Sequence, residues 1–361
     1  MNTKRNGEID VLRFLCAAGI AVHHYNDLFP ADLMYHGYTF VKFFFLVSGY
    51  LMVHSMTKLD PHPGSSSEIA NATWAFLFRK IRSFYPYFFF AVILQLVLFL
   101  FTYGYGGFGS VTHQFLEAIP TFTLAFQGLN LTGSLYLGGS WYLSAMLVGL
   151  FLLFPVALRY RDLATKILFP LLSLFLLGYL NTTYGSVSIQ FQWTGFCSSG
   201  ILQAVAQMAL GASLYPLAEY LRENPQWQAV AKTRLGKLVF TILKLVCYCA
   251  VFSHAQDASI GDLHALLLLA LAVLLNFSDT GFAIPESRFT RYLGKASLCV
   301  YLFHGIFRYP LYNVLGYYAL TPKRLLGLSA MSVLISIVLM HFVDWYMGLV
   351  RKAWKKAFAG S

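Results

Sequence analysis

From residue 9 to residue 346 the sequence is a succession of apolar runs joined by short segments that hold most of its lysines and arginines. About 20 consecutive apolar residues are enough to cross a bilayer as a helix. Ten such runs can be drawn, at about 9–29, 38–56, 84–103, 141–158, 167–180, 201–217, 238–253, 263–277, 296–312 and 325–346. The chain is 58% hydrophobic and 11% charged, against roughly 45–50% and 25% in soluble domains. This excludes a soluble globular protein and predicts an all-α integral membrane protein. One transmembrane domain is expected over residues 1–361, with no internal repeat and no additional soluble domain.

The formal net charge of +11 could suggest nucleic acid, but its placement argues against that partner. Lys4, Arg5, Arg79, Lys80, Arg82, Arg159, Arg161, Lys166, Arg222, Lys232, Arg234, Lys237, Arg288, Arg291, Lys295, Arg351, Lys352, Lys355 and Lys356 all fall on one side of a ten-span bundle. Positive loops stay in the cytoplasm, so both termini are expected there, in a multi-pass protein of the plasma or inner membrane. Lys323 and Arg324 are the exception. Residues 58–73, with Pro61, Pro63 and Gly64, read as a loop, and 181–195 as an external loop. Residues 113–139 are interrupted by Glu117, Pro120, Gln127 and Asn130, and read as an outer loop with a partly inserted segment. Counting them as an eleventh span would put Arg159 and Arg161 outside. The first run leads straight into further spans and reads as a retained helix, not a removable signal peptide. Cys16, Cys197, Cys247, Cys249 and Cys299 have neither secretory pairing nor zinc spacing and read as small buried hydrophobes.

The first run carries ionisable residues, which are costly inside a membrane and mark functional sites. Arg13 and His24 are eleven positions apart. Eleven steps of 100° end about 20° past three full turns, so both face the same side, with Cα atoms roughly 16 Å apart. Asp10 lies one turn before Arg13 and could orient it; His23 is turned about 100° from His24 and reads as structural. No P-loop spacing and no GxSxG elbow is present. The ten histidines show no paired carboxylates at ligand spacing, so no metal is expected.

An arginine, ten residues and a histidine in the first membrane helix resemble the membrane-bound acyltransferase-3 family. Phe43-Phe44-Phe45-Leu46-Val47-Ser48-Gly49-Tyr50-Leu51 is similar to its FFxxSGFL pattern, and Arg79-Lys80-Ile81-Arg82-Ser83-Phe84-Tyr85-Pro86-Tyr87 to its RxxRIxPxY segment. Ser140-Trp141-Tyr142-Leu143 resembles its WxL segment, and the stretch from Leu293 to His304 its LGxxSYxxYLxH helix. Five motifs occur in the family's order. One position departs: many members carry an acidic residue five places after the WxL tryptophan, where this chain has Met146.

The resemblance implies a membrane acyltransferase that moves an acyl group, acetyl by expectation, to a hydroxyl of a surface glycan or lipid-linked sugar. The donor would be cytoplasmic acyl-CoA, a co-substrate and not a bound cofactor. It implies His24 as the base that takes the hydroxyl proton, a task suited to imidazole, and Arg13 as the group that positions the donor. Arg79 and Arg82, with Lys80, would clamp the phosphates of coenzyme A; on residue type alone they read equally as positive-inside charges. Ser48, Tyr87, Trp141, Tyr142, Ser297, Tyr301 and His304 would support the site or hold the acceptor, although polar side chains in spans commonly just bond to neighbouring helices. Tyr301 and His304, three apart, share a face, and the ten-span count puts His304 in the middle of the ninth helix. Two rivals remain: a secondary transporter of a small anionic or sugar substrate, disfavoured by the lack of a repeat, and a non-enzymatic membrane assembly partner.

Overall fold

The computed structural model describes residues 6–26, 33–59, 65–103, 112, 115–116, 119–124, 138–307 and 321–358. Long helices dominate these: α1 Gly7–Asn26, α2 Phe40–Met56, α3 Ser66–Tyr103, α4 Trp141–Arg159, α5 Phe169–Tyr184, α6 Ser199–Glu223, the short α7 Pro225–Ala231, α8 Arg234–Asp257, α9 Asp262–Phe277, α10 Arg288–Phe303 and α11 Pro322–Phe358. One α turn, Arg161–Leu163, and a π turn, Ala164–Leu168, lead into α5. Among the described residues strand pairing is limited to an isolated bridge between Trp193 and Ser198.

Each expected apolar run has a helix at its place, although the helix in the run 296–312 ends at Phe303 and residues 304–307 form turns. Seven helical stretches there are long and apolar enough to cross a membrane, not the ten expected. The three that fall short do so for identifiable reasons. Helix α1 carries Glu8, Asp10, Arg13 and two histidines. Helices α9 and α10 have 16 residues each, and α10 holds Arg288, Arg291 and Lys295. Helices α1 and α10 pack on each other; Glu8, Asp10 and His23 of α1 are buried, while Arg288, Arg291 and Lys295 of α10 remain exposed.

Helices α2 and α6 form the centre, with 78% of each span window buried. Their backbones meet at two glycines. A Cβ on Gly49 would lie 2.0 Å from the Met208 carbonyl oxygen, and one on Gly211 would lie 2.0 Å from that of Leu46. Small residues permit this approach at membrane helix crossings. Helices α3, α8 and α11 lie at the periphery, with 28%, 22% and 28% of their windows buried.

Helix α3 corrects the expected loop over residues 58–73, because it begins at Ser66. Ser65 and Glu68 form a capping box: the Ser65 amide donates to Glu68 Oε2 (3.0 Å) and the Glu68 amide to Ser65 Oγ (3.3 Å). That reciprocal pair satisfies amides that a helix start leaves open. Helix α5 likewise runs to Tyr184 and stops at Gly185, whose φ of 71° suits a residue without Cβ. Most of the expected outer loop with an inserted segment, 113–139, lies outside the described residues; within it residues 119–122 are helical, and the Phe122 and Leu124 carbonyls accept from Tyr85 OH and Ser144 Oγ.

Two buried ion pairs tie distant elements. Lys244 Nζ of α8 donates to Glu8 Oε2 of α1 at 2.8 Å and to the Phe282 carbonyl at 3.2 Å. Lys42 of α2 pairs with Asp262 at the start of α9 and donates to Thr39 Oγ1 at 2.8 Å. Asp262 also accepts from Ser186 Oγ (2.7 Å) and the Val187 amide (2.9 Å). Buried charges persist where each is paired and its remaining hydrogen-bond sites are filled, as in both clusters.

Candidate active site

The common face of Arg13 and His24 leads to two different environments. Toward the Arg13 end, α1, α2, α3, α4 and α10 enclose a cavity of about 100 Å³. Arg13, Ser48, Lys80, Tyr142, Ser297 and Tyr301 line it, together with apolar side chains such as Phe44, Leu51 and Met146. No carboxylate does. Ser48 Oγ and Tyr142 OH are 3.2 Å apart, Ser48 Oγ also approaches Met146 Sδ at 3.6 Å, and Ser297 Oγ donates to the Gly294 carbonyl at 2.8 Å. The Lys80 ammonium makes no hydrogen bond or ion pair among the described residues. A wall with two cations and no anion favours an anionic ligand.

The cation from the RxxR stretch that reaches this cavity is Lys80. Arg79 and Arg82 are exposed on α3. At 100° per residue, Lys80, Ser83 and Phe84 share the cavity-facing side, and the two arginines flank it. Asp10 is buried one turn before Arg13. Trp141 is buried against Phe45, with ring centroids 5.9 Å apart, and does not line the cavity. Tyr87 lies apart as well, since its hydroxyl donates to Asp344 of α11, which also pairs with Lys295.

At the other end of α1, His24 meets His304. Helix α10 ends at Phe303 with His304 as its C-cap, so His304 stands at a helix end and not mid-helix as expected. His304 Nδ1 lies 3.0 Å from the Val300 carbonyl oxygen, and its Nε2 lies 3.2 Å from His24 Nδ1. A carbonyl can only accept, so His304 Nδ1 carries the proton. In the neutral ring Nε2 must then accept, and His24 Nδ1 must donate to it. This chain of bonds leaves the lone pair of neutral His24 on Nε2, the atom that can take a proton.

His23 has a different neighbourhood: its Nδ1 donates to the Met34 carbonyl at 3.1 Å, and a Cβ on Gly37 would lie 2.5 Å from its own Cβ. The segment before α2 is thus held against it. The same segment is fixed to α8 by the His36 amide on the Ala255 carbonyl (2.8 Å) and by the Met34 amide on Gln256 Oε1 (2.8 Å). His36 Nδ1 is 2.9 Å from Tyr38 OH, and its ring stacks on His254 at 5.9 Å. Burial, then the nearby His254, holds the His36 imidazole below its ordinary titration point. His254 Nε2 lies 3.5 Å from Asp262 Oδ1. Five histidines spread along the sequence therefore gather at one end of the bundle. Sequence reading missed His36, His254, Lys42 and Asp262 as a cluster. A lysine at position 42 inside an apolar run was the available signal.

Tyr301 stands between the two environments. It lines the cavity, its ring centroid is 6.2 Å from that of His304, and its hydroxyl donates to the Gly139 carbonyl. A Cβ on Gly139 would lie 3.6 Å from Tyr301 Cζ and 3.7 Å from His304 Cε1. Among the described residues no group of three His, Cys, Asp or Glu side chains is arranged to hold a metal ion.

Comparison with curated proteins and with solved structures gives no match. The acyltransferase domain model of the acyltransferase-3 family, by contrast, matches residues 6–341, which include the arginine–histidine helix, all five cavity-forming helices and His304. The chain therefore belongs to the acyltransferase-3 family, and is a membrane acyltransferase.

Proposed function

We propose that the protein transfers an acetyl or similarly short acyl group from cytoplasmic acyl-CoA to a hydroxyl of a surface glycan or lipid-linked sugar, with His24 as general base. The observation that carries this reading is the bond chain Val300–His304–His24, which leaves a basic Nε2 on His24. In this reading Nε2 takes the acceptor's hydroxyl proton as its oxygen attacks the thioester carbonyl. The resulting imidazolium keeps its Nδ1 bond to His304. When the tetrahedral adduct collapses, the carbon–sulfur bond breaks and His24 returns the proton to the departing thiolate. Arg13 and Lys80 attract the anionic part of the donor at the other end of the same face. The ten helices act as ten spans, with both termini cytoplasmic in the plasma or inner membrane, so that the Arg13 end faces the donor's compartment.

The test uses purified full-length protein in nanodiscs with acetyl-CoA and a glycan acceptor fraction. Acceptor-dependent release of free coenzyme A, with acetate appearing on the glycan, is the expected result. Uptake of sugar into proteoliposomes without any coenzyme A release would overturn it in favour of a transporter.

A further inference from the structure

Residues 185–198 connect α5 to α6 and overlap the external loop expected over 181–195. They form a built surface. The Thr194 amide donates to the Cys197 carbonyl (3.0 Å), the Ser199 amide to the Gln192 carbonyl (2.7 Å), and the Gln192 amide to Ser199 Oγ (3.0 Å). Ser198 Oγ donates to the Gln190 carbonyl at 2.9 Å. Gly195, with φ of 96°, makes the turn. The result is a hydrogen-bonded hairpin on which Trp193 and Phe196 remain 50% and 73% exposed.

This hairpin is folded inward, over the histidine end of the bundle. Its first residues are bound by Asp262, through Ser186 and Val187, and Gln207 Nε2 of α6 donates to the Val187 carbonyl at 3.0 Å. Further along, Phe191 meets Trp141 edge-on, with ring centroids 6.4 Å apart. Trp141 opens the helix whose next residue, Tyr142, lines the cavity. The surface is also free of charge: residues 185–198 include no Asp, Glu, Lys, Arg or His. The other end of the site, by contrast, is cationic.

Exposed aromatic faces alternating with amide and hydroxyl side chains fit a ligand that has an apolar ring face and a rim of hydroxyls. Rigid aromatic rings supply contact area at low entropic cost. A neutral saccharide has that chemistry; a nucleotide or an acidic lipid headgroup would call for cations. We propose that the hairpin, through Trp193 and Phe196 with Gln192 beside them, is a stacking platform for a neutral sugar ring of the acceptor. The proposal rests on the acyltransferase reading and names the acceptor's binding surface. Its rival is an aromatic anchor in the lipid interface.

The experiment compares wild type, Trp193→Phe, Trp193→Ala and Phe196→Ala in nanodiscs. The fluorescence contributed by Trp193 is the difference between wild type and Trp193→Phe. It is measured with aqueous acrylamide, with brominated phosphatidylcholine, and during titration with neutral tetrasaccharides of glucose, galactose, mannose and N-acetylglucosamine. The expected result is quenching by acrylamide and not by the brominated lipid, with protection by at least one tetrasaccharide. Trp193→Ala and Phe196→Ala should then raise the acceptor KM about tenfold or more while acceptor-free hydrolysis of acetyl-CoA is unchanged. Quenching by brominated lipid, or no protection by any of the four sugars, overturns the platform. So does an unchanged acceptor KM in both alanine variants when the wild type is active. Failure of the wild type to release coenzyme A with any acceptor overturns instead the acyltransferase reading on which the platform rests.

Discussion

The two ends of the Arg13–His24 face are built on opposite principles. At the Arg13 end, cations line a cavity without a carboxylate, and the Lys80 ammonium has no hydrogen-bond partner among the described residues. At the His24 end, the imidazoles are bonded into place: His24 to His304, His304 to Val300, and His23 to Met34. Cations in the wall of a cavity attract an anionic ligand. A proton-transfer group gains from a fixed tautomer and orientation. One end is thus suited to electrostatic capture, the other to directed proton movement.

The largest test of this contrast is His24→Ala. Loss of a general base should lower turnover by about 10²–10⁴-fold, while coenzyme A binding, measured by calorimetry, stays near wild type. Wild-type turnover should also rise with pH as His24 loses its proton, because only neutral imidazole accepts one. His23→Ala, on the same helix, should affect stability more than turnover. A His24→Ala enzyme with wild-type turnover would falsify the division between the two ends.

Next in size is the cation comparison. Lys80→Ala should raise the donor KM roughly ten- to a hundredfold, corresponding to about 1.5–3 kcal/mol for a charge-assisted contact. Arg79→Ala and Arg82→Ala, exposed beside the cavity, should change it no more than about fivefold, corresponding to the ~0–1 kcal/mol of a solvated charge. The opposite ranking would return the clamp to the arginines. A smaller effect is expected from His304→Ala. Removing one hydrogen-bond acceptor from His24 should lower kcat about tenfold, in line with about 1.4 kcal/mol, with donor binding unchanged. A matching loss of donor affinity would show that the ends are not separable. The smallest effect belongs to Glu68→Ala, which removes half of the α3 capping box. It should cost about 1 kcal/mol, seen as a modest drop in thermal stability with kinetics intact at both ends.

The helices were legible because apolar runs declare themselves by length, and the Arg13–His24 face followed from the helical repeat alone. Other features lay in patterns that local reading underweights. Pro61, Pro63 and the serines after Gly64 suggested a loop, although Ser65 and Glu68 at capping-box spacing already marked a helix start. Arg79 and Arg82 attracted attention by charge and motif. The spacing of Lys80, Ser83 and Phe84 on one face was the better guide to the cavity. His304 sits at a helix end followed by Gly305, a break that the apolar run through residue 312 concealed. The pairs Lys42–Asp262 and Glu8–Lys244 join residues more than 200 positions apart. No local periodicity encodes such partners; only the packed bundle brings them together.

The glycine contacts between α2 and α6 bear on mechanics. With Gly49 and Gly211 each set against the other helix's carbonyls, neither helix can slide or roll without backbone collision. These two helices act as a keel. A donor whose pantetheine arm enters between the helices needs a movable plank. Helix α3 supplies Lys80, Ser83 and Phe84 to the cavity and turns most of its remaining surface outward. Its displacement must push against surrounding acyl chains. The bilayer then becomes part of the admission step: thickness and lateral pressure, varied by nanodiscs of different chain length, should alter the donor KM while leaving kcat nearly constant.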